Sequence, residues 1–213
     1  MADRNPRQSR EAEGAEQNAP HNEEGMARAQ RALARLKAGN RRFLTGASNA
    51  ADLSPARVRK LAVDGQHPFA AVICCADSRV PPEHVFMQGL GALFTIRTAG
   101  NVVGPLEAAS AYYAASDLQV PLIAVVGHTG CGAIGAAQAG GPTDADLEPL
   151  LARVRRAIGT EPDPYAASAA NVRAGLAALR ATPGLAALED AGQLMIVGAV
   201  LHTDTGAVDF LDR

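Results

Sequence analysis

All three cysteines of this 213-residue chain fall in two short stretches. Residues 74–79 read CCADSR and close one apolar run; residues 127–131 read GHTGC and close another. Zinc takes Cys thiolates and His nitrogens in tetrahedral array, and a catalytic zinc keeps one position for water. His128 and Cys131 form an HxxC pair, and Gly130 and Gly132 let the backbone turn tightly around an ion. Cys75 would complete a set of two thiolates, one imidazole and an open position. The bland alternative is three core cysteines, since a free cysteine packs as a small apolar residue. The spacing by itself leaves both readings open. Asp77 and Arg79 lie two apart, and extended backbone would point both to one side. A carboxylate beside a guanidinium keeps a low pKa and a fixed orientation. Near a metal-held water, such an aspartate could accept a hydrogen bond. It could also swing onto the metal as a conditional fourth ligand, a move that Arg79 would oppose. Without the cysteines the pair reads as a structural ion pair at a strand end.

These groups need elements to bring them together. FAAVICC (69–75), LFTIR (93–97), LIAVV (122–126) and LMIVGAVL (194–201) are short apolar runs rich in β-branched residues, read as four buried strands. Helical patterns fall between them, at Pro105–Leu118, Gly132–Ala139, Asp144–Ile158 and Pro164–Arg180. Two helices precede the first strand. One runs from Met26 to near Gly46; the other is Ser54–Val63, with Ser54 as N-cap and Pro55 in the first helical position. Strands separated by helices imply an α/β fold with a mainly parallel four-stranded sheet flanked by helices and an N-terminal helical arm. Ligands in such sheets sit beyond the carboxyl ends of the strands. Cys75 and His128 would both lie there, on two different strands.

Composition bounds the rest. Hydrophobic residues make up 47% and charged residues 20%, as in an ordinary globular domain. A net charge of −2 offers no basic field for nucleic acid. No segment has the ~20 apolar residues of a membrane span, and the N-terminus shows no apolar signal core. An odd, small number of cysteines points to a reducing, cytoplasmic setting rather than a disulfide framework. Residues 1–25 have almost no branched apolar or aromatic side chain and are read as a flexible arm. Residues 26–213 are read as one domain.

On these motifs the chain resembles a β-class carbonic anhydrase. The family's CxDSR motif stands at Cys75–Arg79 and its HxxC at His128–Cys131, followed by Gly132. LKAGNRRF (36–43), IRTAGN (96–101) and VGAVLHTDTGAV (197–208) extend the likeness from about Ala32 to the end. The resemblance implies a lyase with one Zn2+ per subunit that hydrates CO2 to bicarbonate and a proton through zinc-bound hydroxide. It makes residues 26–213 the catalytic domain and implies Cys75, His128 and Cys131 as ligands, with Asp77 and Arg79 catalytic. It also implies a homodimer or higher homo-oligomer, a dimer of dimers included, with each site lined partly by its neighbour. Gln66, Phe94, Ala99, Tyr113 and Gly132 carry over as substrate-pocket positions. Cys74 falls at a small-residue position and takes no metal role. Some relatives hold a regulatory bicarbonate with a Trp–Arg–Tyr triad. Here Arg97 matches, but the other two positions are Val72 and Leu201 and the chain has no Trp. That second site is not expected, and an open fourth position is. The rival readings are a relative acting on CS2 or carbonyl sulfide, and a non-catalytic zinc-stabilised interaction protein.

Overall fold

The computed structural model describes residues 6–49, 51–141 and 144–212, the side chains of residues 6–22 excepted. Along the chain lie α1 (Pro6–Leu44), α2 (Pro55–Asp64), β1 (Ala70–Cys75), α3 (Pro82–Val85) and β2 (Leu93–Thr98). A 3-10 turn at Ala99–Asn101 leads to α4 (Pro105–Ser116), β3 (Leu122–His128), α5 (Gly132–Ala139) and α6 (Glu148–Ile158). Then come α7 (Pro164–Arg180), α8 (Pro183–Asp190), β4 (Met195–Leu201) and β5 (Val208–Phe210). The helix expected from Met26 is the latter part of α1, which starts within the segment read as an arm; residues 1–5 lie outside the described residues.

The strands form one sheet in the order β2-β1-β3-β4-β5. The first four are parallel, and β5 runs antiparallel to β4. The expected sheet of four strands therefore has a fifth. It is a three-residue hairpin partner, too short to show an alternating pattern. Successive side chains point to opposite faces, and both faces are covered. Val72, Leu122, Ala124 and Val197 pack toward α1, α5 and α6. Ile73, Ile123, Val125 and Ile196 pack toward α4, α7 and α8. Burial on both faces is why these strands read as unbroken apolar runs.

This order puts the site where it is. From β1 the chain moves outward to β2 on one side, then returns to place β3 on the other. Such a reversal opens a crevice at the carboxyl ends of the two central strands. Cys75 is the last residue of β1 and His128 the last of β3. Gly127 lets α7 approach that end. A Cβ there would lie 2.7 Å from Ser168 Oγ and 2.7 Å from Val172 Cγ2.

Candidate metal centre

Cys75, His128 and Cys131 converge at the crevice, with their ligand atoms all within 4.8 Å of one another. The two sulfurs are 4.0 Å apart and unbonded. Beyond β3 the chain turns through Gly130, at φ +64°, a conformation glycine adopts without strain. Cys131 then stands as the N-cap of α5. Thr203 locks this turn to the next strand end: its N–H donates to Thr129 Oγ1 at 3.0 Å and its hydroxyl to Thr129 O at 3.1 Å.

The donor chemistry fits a zinc ion. His128 is 1% exposed. Its Nδ1 lies 2.9 Å from Thr129 O, and a carbonyl only accepts, so the ring proton sits on Nδ1. That leaves Nε2 with a bare lone pair, buried and without a hydrogen-bond partner. Burying an unmet polar group costs about 1–3 kcal/mol, and a cation at the convergence of the three groups would meet it. The thiols are also prepared. Cys75 is drawn down to about 3 by the Cys131 thiol and, against its burial, by the His128 ring beside it and the amide N–H groups of Asp77 and Gly100. Cys131 is pushed up by the same contact with Cys75 and by burial. The pair thus shares one proton, and the cation would displace it. Burial pushes the Cys74 thiol up to about 12, and its sulfur is not among the three groups that converge.

Asp77 faces the cluster, its Oδ2 lying 3.9 Å from His128 Nε2. Arg79 engages both of its oxygens. The Arg79 amide and Nε donate to Oδ1 at 2.9 and 3.0 Å, and Nη2 donates to Oδ2 at 2.7 Å. Nη2 also reaches Gly130 O at 3.1 Å, tying the two loops together. Arg79 holds the Asp77 carboxyl far below the usual carboxylate range. Arg97, the residue matching a regulatory triad, spends its guanidinium on backbone. It donates to Cys75 O from Nε and Nη2 at 3.0 and 2.9 Å and to Asp77 O. Val72 and Leu201 are buried in the sheet.

Residues 70–208 match the carbonic anhydrase family. The chain belongs to the β-class carbonic anhydrase family. Carbonic anhydrase 2 of Mycobacterium tuberculosis is 47% identical over 104 residues, which are 49% of this chain and 50% of that protein. The chain therefore spans about half the length of that relative. The carbonic anhydrase of Mycolicibacterium smegmatis is 35% identical over 191 residues, covering 82% of this chain and 89% of that one. Among solved structures, a tetrameric β-carbonic anhydrase of Sordaria macrospora superposes with a TM-score of 0.68 at 25% identity, over 75% of this chain and 88% of that one.

The other expected pocket positions lie on several different elements. Ala99 opens the turn whose next residue, Gly100, donates to Cys75 Sγ at 3.2 Å. Gly132 begins α5 directly after Cys131. Phe94 and Tyr113 pack on each other at 6.2 Å between β2 and α4, with Tyr113 47% exposed. Gln66 is exposed in the loop before β1. His202 follows the β4 residue paired with His128; its Nε2 lies 2.8 Å from Asp209 Oδ2 and its ring stacks on Tyr165. Sequence reasoning passed over Ser168 and Asn171. Their signal was present: two polar residues, three apart, in an alanine-rich helix.

Proposed function

We propose that this chain catalyses the reversible hydration of CO2 to bicarbonate and a proton, as a lyase with one zinc per subunit. The observation that carries the reading is a cluster of two thiols and one imidazole with a fixed carboxylate beside it. A structural zinc site closes its shell with four protein ligands, and among the described residues this cluster offers three. That contrast favours catalysis over a zinc-stabilised interaction module.

Cys75, His128 and Cys131 would hold the metal. When bound, zinc supplies the Lewis acidity that makes water nucleophilic near neutral pH. Asp77 is ionised throughout the working range and has no proton to give. Its carboxylate accepts a hydrogen bond from the attacking water and so fixes which face of the oxygen meets the carbon. Arg79, bonded to both Asp77 oxygens, holds the carboxylate in that place and keeps it from acting as a fourth ligand. Gln66 and Gly132 would contact substrate, with Phe94, Ala99 and Tyr113 lending apolar wall. A neighbouring subunit would complete that wall. An oligomer is supported by the tetrameric Sordaria relative and by edge strand β2, whose residues are only half-buried or exposed.

Exchange of oxygen between bicarbonate and water tests the reading. Zinc-loaded protein should exchange rapidly, and Cys131→Ser protein should not. Hydrolysis of carbonyl sulfide or CS2 by the loaded protein, without exchange, would move the assignment to those substrates.

A further inference from the structure

The turn that hydrogen-bonds the Cys75 sulfur is itself gripped from α7. Gly100, at φ +64°, directs its N–H at Cys75 Sγ, 3.2 Å away. On the other side of the same residue, Asn171 Nδ2 donates to Gly100 O at 2.7 Å. Asn171 is 5% exposed. One turn earlier on α7, fully buried Ser168 donates to His128 O at 3.1 Å. Residues three apart share a helix face, so a single turn of α7 holds the backbone beside two of the three ligands. The approach is close enough that Gly127 has no room for a side chain.

Groups behind a metal's direct ligands set ligand orientation and electron donation. An N–H donated to a thiolate draws density from sulfur, and its effect depends on how firmly the N–H is aimed. Gly100 lies in an irregular turn of three residues and does not sit in a ladder that would hold it. Its aim depends on what pins the residue, and the shortest hydrogen bond to it comes from Asn171.

We propose that Asn171 is a positioning residue for the metal centre: through Gly100 it fixes the N–H that bonds the Cys75 sulfur, and so sets how that sulfur holds zinc. This rests on the reading that Cys75, His128 and Cys131 bind the metal. The competing view is that Asn171 only satisfies a buried carbonyl and serves stability.

The test compares the full chain with Asn171→Leu, which removes the donor and keeps the branched shape. Val172→Ala is the control: it lightens the same buried helix face without touching the hydrogen bonds. Zinc affinity is measured by chelator competition, and the thiolate-to-cobalt absorption is recorded on cobalt-substituted protein. Loss of an outer-shell partner weakens metal binding by about 10–100-fold; we expect the low end for Asn171→Leu. We also expect its thiolate-to-cobalt band to move to lower energy. Val172→Ala should lose stability while keeping affinity and band. If Asn171→Leu keeps wild-type affinity and band, or if both variants change alike, the proposal is overturned. If Asn171→Leu does not fold, Asn171→Ser, whose hydroxyl cannot span the gap, gives the same comparison. A wild-type protein with no thiolate-to-cobalt band would instead overturn the metal reading, and this inference with it.

Discussion

Replacing Asp77 by Asn changes one atom and tests the orienting role. In the structure Oδ1 accepts two hydrogen bonds from Arg79, at 2.9 and 3.0 Å, and Oδ2 accepts a third at 2.7 Å. An amide has one acceptor oxygen. If that oxygen keeps the two-bond side, the NH2 group falls 2.7 Å from Arg79 Nη2, donor against donor. The same NH2 then points its N–H toward the ligand cluster, where Oδ2 had stood 3.9 Å from His128 Nε2. The group that accepted the water's hydrogen bond now donates one. The flipped amide is worse, since it meets two donors. Loss of one positioned hydrogen-bonding group at a reacting centre costs about 10²–10³-fold. Arg79 is largely solvated and its contribution is screened, so we place Asp77→Asn near the low end. That is about 10²-fold in kcat/KM, or about 2.7 kcal/mol in the barrier. Stopped-flow CO2 hydration measures it, with zinc content unchanged because Asp77 is not among the three ligands. A fully zinc-loaded Asp77→Asn protein with undiminished kcat/KM would refute the reasoning.

Further outcomes can be checked separately. Arg79→Ala removes the side-chain bonds to both Asp77 oxygens and leaves only the residue-79 amide on Oδ1, so turnover should fall while zinc stays bound; full activity would exclude the role of Arg79 in holding Asp77 off the metal. Because Arg79 lowers the Asp77 carboxyl in the fold, their pairing stabilises above the unfolded carboxyl pKa of about 3.9 and fades as pH falls through and below it. Urea titrations should therefore show a shallower acid loss of stability in Arg79→Ala than in wild type. Zinc uptake at neutral pH should release about one proton per site, because the two thiols in contact hold one proton between them. Release of two in a weakly buffered titration would contradict that pairing. Gly127→Ala forces a methyl to within 2.7 Å of Ser168 Oγ and Val172 Cγ2. It should cost about 1–3 kcal/mol in urea unfolding, and an unchanged midpoint would show that α7 gives way.

The ligand-bearing part of the molecule was legible because strand and motif coincide. Unbroken apolar runs ending in Cys75 and near His128 announced buried parallel strands, and a sheet that reverses its strand order gathers chemistry at those ends. Pro55 and Pro164 marked two helix starts through proline's fixed φ. Other parts had no local signal. β5 has three residues and exists because β4 offers it an edge. α8 follows α7 after a break at Ala181–Thr182 and buries only Leu185, so its apolar period is faint. Arg97 matched one member of a regulatory triad whose other two positions are Val72 and Leu201, and what it does instead, holding the backbone at Cys75 and Asp77, had no signal in the sequence. Asn171 and Ser168 did stand out as polar residues in an alanine-rich helix, but the residues they bond lie 71 and 40 positions away, and such contacts are set by topology.

The most direct test of the central claim is stopped-flow CO2 hydration with a pH indicator, on protein of known zinc content, from mildly acidic to alkaline pH. Two thiolates offset the ion's charge, so this zinc should acidify water less than an all-imidazole site would. The account predicts rapid turnover that requires zinc and rises with pH above neutrality. No turnover at full zinc occupancy anywhere in that range would contradict it.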